Sequence, residues 1–476
     1  MVAVFSALVA ALFLYPAIVE LPRLISRNFN EGWNALHAVR FANGLPLYPS
    51  TDALVVNNYP PLWYLLLGVP QALDVDVVIF GRICALVSQL VCCFLVAQIA
   101  LALTDHKFAS YSAGLFFLAG TAAWLPTYVA MNDPQWLALA IMLWGLLKLL
   151  NAQSSWQIAA AGVVIVLGGF VKHSGLAITL AAAGYLSVTN WQYARVFGVS
   201  ALSAAATGLV ICTLVFGDDF LTSLFLHSRE TDIRLPFWLF LKNPFFFVLG
   251  ATVFVVTVSA WRKSSSHKFA SILLLISFGS GLVFTIGVGI AENVFLEAWV
   301  ALAIAFSLIG STLGLSGSNA FLRDGLVALG MALLLIMTAR THWSMALPSL
   351  HTLSARELAT SDAIATARNS PGRVACETSA ICYWAGKPTE LDFFNIGQQL
   401  RLGDVSIRHV LESLDERQVL LFQFSSGSPE IGSTRFSDEF NQALRSRFAM
   451  RQQPASTLGY RFADRIHNLS IVPGGE

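Results

Sequence analysis

Apolar residues fall in long unbroken runs along this chain, and polar residues collect in the gaps between them. Eleven runs stand out, over about residues 2–20, 79–103, 109–130, 134–150, 156–171, 174–189, 196–216, 237–260, 269–290, 294–314 and 325–346. Runs of roughly 20 apolar residues match the hydrocarbon layer as α-helices, whereas a membrane β-barrel would show short alternating segments. The pattern predicts an all-α polytopic membrane bundle of about 11 transmembrane helices. A further apolar stretch, 59–73, opens on Tyr59-Pro60-Pro61 and is too short to cross, so it is expected as a helix lying in the outer interface. A second interfacial helix is expected over 31–42, with Trp33, Leu36, Val39 and Phe41 as its apolar positions. Both belong to a long first outer loop.

Charge changes the picture near Pro348. Residues 1–348 carry 30 Asp, Glu, Lys and Arg, about 9%, while 349–476 carry 27, about 21%. The reading is therefore a transmembrane domain over 1–348 and a small soluble α/β domain over 349–476. In that tail, helices are expected at 354–368, 380–385, 405–414 and 436–448, with strands at 373–376, 417–424 and 460–463. It holds no nucleophile elbow, P-loop or dinucleotide-binding glycine triplet, and so receives no chemistry. The mean hydropathy of +0.65 fits the membrane assignment. A net charge of +1 without a basic face argues against nucleic acid.

The first run lacks a basic flank and a small-residue cleavage site, so it reads as a retained helix. With the N-terminus cytoplasmic, the inner connections hold Lys107, Lys148, Arg195, Arg262, Lys263, Lys268 and Arg323, as the positive-inside rule prefers. The expected location is the cell inner (plasma) membrane, with the C-terminal domain periplasmic or extracellular. Four cysteines lie in apolar runs as small hydrophobes. Cys376 and Cys382 read as two free thiols, unless the tail faces an oxidising compartment, where they could pair.

The same alternation brings most reactive polar groups to one side. Glu31 sits at a helix start, where the dipole favours its ionised form, and could act as a general base. Asp133, between Asn132 and Pro134, could equally cap the next helix, orient an acceptor or help hold a divalent cation through oxygen ligands. Lys172 and His173 lie between two apolar runs, where cations could meet a phosphate or simply anchor at the interface. Arg82 at the entrance of the second run could clamp two phosphate oxygens. The group Asp218, Asp219, His227, Arg229, Glu230 and Arg234 reads as ion pairs in solvent. Glu297 falls inside a run, so it should face a cavity or a cation, with Asn293 beside it.

These motifs resemble the C-type (GT-C) superfamily of membrane glycosyltransferases, in its bacterial branch of protein mannosyltransferase, aminoarabinose transferase and rhizobial core transferase relatives. Asn30-Glu31-Gly32 stands where that family has an acidic pair, Tyr59-Pro60-Pro61-Leu62 matches its Pro-Pro-Leu segment, and Asn132-Asp133-Pro134 its second acidic loop. Lys172-His173-Ser174-Gly175 is similar to its Lys-x-Ser/Thr-Gly stretch, and Asn293 to Glu297 to its Asn-Tyr-Phe-Leu-Glu stretch. Two positions depart: Asn30 replaces the first acid of the pair, and Tyr59 stands where the aminoarabinose branch has Lys.

The resemblance implies transfer of a hexosyl or pentosyl unit from a polyprenyl-phosphate donor to an envelope glycan such as lipopolysaccharide, or to a lipid or protein acceptor, on the outer face. Glu31 and Asp133 would be the catalytic acids, and Lys172, Arg82 and His173 would hold the donor phosphate. Asn30, Tyr59, Asn132, Asn293 and Glu297 would line the substrate cavity. No cofactor is required, and a divalent cation (Mg or Mn) is left open, as are the sugar and the acceptor. Two other readings fit the composition: a lipid or small-solute transporter, and a catalytically silent member that binds polyprenyl lipids.

Overall fold

The computed structural model describes residues 2–50, 53–312, 350–388, 390–425, 431–451 and 459–466, with scattered positions between 329 and 340. Ten of the eleven apolar runs are helical, and the eleventh, 325–346, lies largely outside the described residues. In order they are α1 (Val2–Glu20), α4 (Val77–Thr104), α5 (Lys107–Trp124), α6 (Gln135–Leu150), α7 (Ser155–Val171), α8 (Ala177–Thr189), α9 (Trp191–Phe216), the pair α11 (Leu235–Lys242) and α12 (Pro244–Ser259), α13 (Ser265–Phe284) and α14 (Leu296–Thr312). Five described helices are long and apolar enough to cross a membrane, and six if α11 and α12 are counted as one broken span. α6, α7 and α8 are apolar but shorter.

The run expected as one helix over 237–260 is broken instead, with a 92° bend between α11 and α12. Pro244 is the cause. It has no N–H and its ring clashes with the preceding turn, so it can start a helix but not continue one.

Helix α14 runs through the middle of the bundle, with Ala298 to Ala305 fully enclosed and Trp299 packed against Phe116, Trp124 and Phe246. α9, by contrast, packs mainly on α7, α8 and the short α10 (Asp219–Phe225), leaving Leu202 and Leu214 about three-quarters or more exposed. An apolar outer face of this kind suits lipid rather than water.

The long first outer loop carries α2 (Phe29–Ala42) and α3 (Leu62–Ala72). α2 starts where Asn28, in extended conformation, accepts the Asn30 N–H with its side chain. α3 buries Trp63, Tyr64 and Leu67 while exposing Leu65 and Val69.

The soluble part has a four-stranded sheet of order β1-β2-β4-β3, from β1 (Arg373–Cys376), β2 (Val419–Ser425), β3 (Phe448–Met450) and β4 (Tyr460–Arg465). β1 pairs parallel with β2, and the other pairs are antiparallel. Helices α15 (Leu353–Asn369), α16 (Ser379–Trp384), α17 (Phe393–Leu402), α18 (Ile407–Glu416) and α19 (Asp438–Arg445) surround it. The sequence reading had no helix at α17 and no strand at β3. Cys376 and Cys382 are joined in a disulfide, which corrects the reading of two free thiols.

The sheet-bearing C-terminal part is packed onto the long loop that follows α1. A Cβ on Gly32 would lie 1.9 Å from the Ala380 nitrogen, so α2 and α16 touch backbone to backbone where only glycine fits. Trp33 Nε1 donates to Asp392 at 2.9 Å, Trp384 Nε1 to Asp76 at 3.0 Å, and the Val77 N–H to Tyr383 at 2.8 Å.

Candidate functional site

The ends of α4, α6, α8 and α14 that meet this loop bring the sequence-picked polar residues together, but not in the roles expected of them. Glu31 and Arg82 form a two-pronged ion pair, Nε to Oε1 and Nη2 to Oε2, both 2.8 Å, with neither side chain exposed. Arg82 also donates to the carbonyls of Glu20, Leu21, Arg23 and Ile25, so its guanidinium is fully committed. Glu31 further accepts the N–H of Arg27 at 2.8 Å and of Asn132 at 3.3 Å. Saturated in this way and sealed from solvent, the pair pins the loop after α1 to α4. Arg82 has no donor left for a phosphate, and the Glu31 carboxylate faces no cavity. In this arrangement the two residues that were expected as phosphate clamp and base are paired with each other, and neither lines the cavity described below.

Asn132 belongs to the same clasp: its Nδ2 donates to the Glu31 carbonyl, and its own carbonyl accepts from Asn34. A Cβ on Gly81 would strike the Asn132 side chain, which explains a glycine there. Glu297 makes no ion pair among the described residues and does not line the cavity described below; its carboxylate accepts the N–H groups of Ala177 and Ile178 at 3.3 and 2.9 Å, a cap on the start of α8.

A cavity of about 780 Å³ lies next to this clasp. Of the expected residues, Asn30, Tyr59, Lys172, His173 and Asn293 line it, while Glu31, Arg82, Asn132, Asp133 and Glu297 do not. One wall is apolar, formed by Val283, Phe284, Ile286, Ile290 and Val294. The rest of the lining is largely polar and includes Lys172, His173, Arg229 and Arg435, and no Asp or Glu lines the cavity among the described residues.

Lys172 ends α7 and is nearly buried. Its Nζ donates to Asp133 Oδ1 at 2.8 Å and lies 4.9 Å from the centre of the Tyr59 ring. Burial alone would lower the pKa of this ammonium, but Asp133 and then Tyr59 hold it above its ordinary value, so it stays charged. Asp133 also accepts the Gln135 N–H at 2.9 Å, starting α6 as the sequence suggested, and its other oxygen is 3.4 Å from Asn30 Nδ2. Asn293 Nδ2 donates to Gln135 Oε1 at 3.0 Å. His173 follows Lys172; burial first, then the charges of Lys172 and Arg229, push its pKa down to about 4. The imidazole is neutral near pH 7, and its buried Nδ1 has no hydrogen-bond partner.

Three lining residues escaped the sequence reading. Arg229 belongs to the group expected to pair in solvent, yet its neighbours pair elsewhere: Glu230 with Arg401, His227 with Asn395, and Arg234 with Asp232. Arg229 itself has no ion pair or hydrogen bond among the described residues, and burial lowers its pKa, with Tyr59 opposing. From the soluble domain come Asn395 and Arg435, the latter with its guanidinium over the rings of Phe29 (4.5 Å) and Phe394 (5.7 Å). Nothing local in the sequence marks either. Among the described residues no group of three or more His, Cys, Asp or Glu is placed to hold a metal ion.

The arrangement can hold an amphipathic anion, with an apolar part along 283–294 and a negative group between Lys172 and Arg229. No protein-family model matches this chain, and neither does any curated protein. Among solved structures, it resembles ArnT from Cupriavidus metallidurans bound to undecaprenyl phosphate, with a TM-score of 0.60 over 99% of each chain at 14% identity. The apo state of that protein matches with a TM-score of 0.58 over 98% of each chain, also at 14% identity. The chains share a fold, one that fits a polytopic membrane protein with a small sheet.

Proposed function

We propose that this chain is an integral-membrane glycosyltransferase that moves a sugar from a polyprenyl-phosphate donor to an envelope glycan, lipid or protein acceptor on the outer face of the membrane. The observation that carries the reading is the two-sided cavity, apolar along 283–294 and cationic at Lys172 and Arg229, with no carboxylate on its wall to repel a phosphate. A neighbour of the same fold is bound to undecaprenyl phosphate, which supports the same lipid class here.

In this reading the acceptor oxygen or nitrogen attacks the anomeric carbon from the side opposite the phosphate. The anomeric C–O bond breaks, and the lipid phosphate leaves with the bonding electrons. Negative charge builds on the leaving oxygen, and two preplaced cations stabilise it more there than in the ground state. Asp133 and Tyr59 fix the Lys172 ammonium, so no reorganisation is needed as charge develops. The proton of a neutral acceptor leaves to water on the acceptor side; His173, next to Lys172 and under the charge of both cations, stands on the phosphate side. Asn30 and Asn293 orient hydroxyl groups, and Glu31 serves the site by fixing α2 through Arg82.

The test is binding of undecaprenyl phosphate to the full chain in lipid nanodiscs, with undecaprenol as the neutral control. Lys172→Met and Arg229→Gln should each weaken phosphate-lipid binding by about 10- to 100-fold, the size of one charged hydrogen bond. Equal binding of undecaprenol and undecaprenyl phosphate overturns the proposal. Mass analysis of envelope glycans after gene deletion then identifies sugar and acceptor together.

A further inference from the structure

A second, smaller pocket of about 320 Å³ lies between the loop ahead of α2 and the soluble domain. It shares Asn28, Phe29 and Arg435 with the large cavity, so the two spaces meet at one arginine side chain. Its size falls within the range of small-ligand sites, roughly 300 to 1,000 Å³. The lining differs from that of the large cavity. Apart from Ile25, Phe29 and Gly459 it is polar, with Arg27, Arg356 and Arg435 set among Thr378, Ser425 and one carboxylate, Glu377.

The charges around it are mostly spoken for, with a remainder. Glu20, buried behind the pocket, pairs with both Arg27 (3.0 Å) and Arg356. Glu377 accepts from the Ser425 N–H and from Ser433 Oγ, and stands 3.5 Å from Arg435 Nε. Two guanidinium groups keep donors unused. The Arg27 side chain is only 7% exposed and donates from Nη2 to the Pro126 carbonyl, yet its Nε–H has no partner among the described residues. Arg435 is held by ring faces and by the distant contact with Glu377, and its guanidinium makes no hydrogen bond among the described residues. A buried unpaired donor such as Arg27 Nε is rare in a finished structure, and Arg435, about 30% exposed, keeps its donors open to the pocket.

We infer that this pocket is a subsite for an anionic saccharide, a sugar ring bearing a phosphate or carboxylate, with the anion between Arg27 and Arg435 and ring hydroxyls toward Thr378 and Ser425. The inference rests on the transferase reading in one respect: the saccharide is a part of the acceptor other than its attacking group, held beside the transfer cavity by the soluble domain. Arg435 then acts as a specificity residue supplied by a domain that carries no chemistry of its own. An acceptor without the negative charge would lack the partner these donors require.

The experiment uses the full chain in phosphatidylcholine nanodiscs, with glucose 6-phosphate, glucuronate and glucose as probes in calorimetry. Both anionic sugars should bind at least about tenfold tighter than glucose, the ratio expected from one charge-assisted contact. Arg27→Gln and Arg435→Gln should each remove most of that preference, and Arg435→Lys should restore part of it. Ser425→Trp, at an exposed strand end, fills the pocket from its rim and should abolish sugar binding while undecaprenyl phosphate still binds. Lys172→Met should leave sugar binding unchanged.

Glucose binding as well as glucose 6-phosphate overturns the inference. So does a loss in Lys172→Met equal to that in Arg435→Gln, because the anion would then sit in the large cavity. If phosphatidylglycerol nanodiscs displace the sugar, the pocket belongs to a lipid headgroup and the acceptor assignment fails. A wild-type protein that ignores undecaprenyl phosphate but binds anionic sugars through Arg435 sinks the transferase reading and leaves the subsite standing. The reverse result does the opposite.

Discussion

Replacing Glu31 by Gln separates the two roles open to a carboxylate in its position. Its oxygens take Nε and Nη2 of Arg82 at 2.8 Å with no solvent access, and removing one partner of such a pair strands a buried charge, at about 3–5 kcal/mol. Arg82 carries more. It also satisfies four backbone carbonyls after α1, so Arg82→Met orphans those as well, at roughly 1 kcal/mol or more each, for a total on the order of 7 kcal/mol or more. Once Arg82 is gone, Glu31 is itself a stranded charge, so Glu31→Leu on that background should recover stability rather than lose more. The double variant must therefore cost less than the sum of the two single ones.

The assay is thermal unfolding of the full chain by tryptophan fluorescence, run beside undecaprenyl phosphate binding. At about 2 °C per kcal/mol, Glu31→Gln should lower the apparent melting temperature by roughly 6–10 °C while the protein that remains folded still binds the lipid. A Glu31→Gln protein that melts within about 2 °C of wild type but no longer transfers sugar would refute this reasoning and return the carboxylate to the chemistry. Additive costs in the double variant would refute it as well.

Glu297→Ala removes the cap on α8 and should cost about 1–2 kcal/mol in unfolding experiments, with Glu297→Gln milder because it keeps one acceptor. Cys376→Ser opens a bridge between residues six apart, worth about 2 kcal/mol in chain entropy, and should loosen amide-exchange protection across β1 and α16 while the α4–α6 helices stay protected. His173 has its pKa pushed down to about 4 in the empty cavity, and a bound phosphate must raise it. Lipid binding then takes up a proton, so the affinity advantage of wild type over His173→Gln should grow as pH falls from about 6.5 towards 4. Parallel pH profiles for the two proteins would show that His173 does not face the bound anion.

Much of the fold was legible because lipid imposes a length on every crossing helix, and that length shows as an uninterrupted apolar run. The soluble helices and strands were legible where a Ser-Pro-Gly stop or an alternating pattern marked them, as at α15 and β1. α17 was missed because Phe393 to Leu402 mixes apolar and amide side chains over less than three turns. The polar site was legible only by location. Lys172, His173, Asn30, Tyr59 and Asn293 could be placed at one boundary, but which carboxylate meets which cation is settled between positions far apart. Arg82 pairs with Glu31 across 51 residues, and the choice depends on the crossing of two helices. Arg229 looked like one charge among several because its neighbours' partners, Arg401 and Asn395, lie in the other domain. Arg435 was invisible for the same reason: nothing around it in the chain hints that two phenyl rings, one from each domain, will hold it at a cavity rim.

The contact at Gly32 bears on how such a molecule can move. Because the main chains of α2 and α16 lie against each other with no side chain between them, there is no cushion to shear, and the first outer loop and the tail travel as one body. Any opening that admits a long lipid has to come from elsewhere around the rim. The elbow at Asn243, where the chain turns through 92°, is the natural hinge. Cutting the tail off at its first helix would therefore not release a spare part; it would leave a raw backbone face on α2 and a cavity without the lining that Phe394, Asn395 and Arg435 provide.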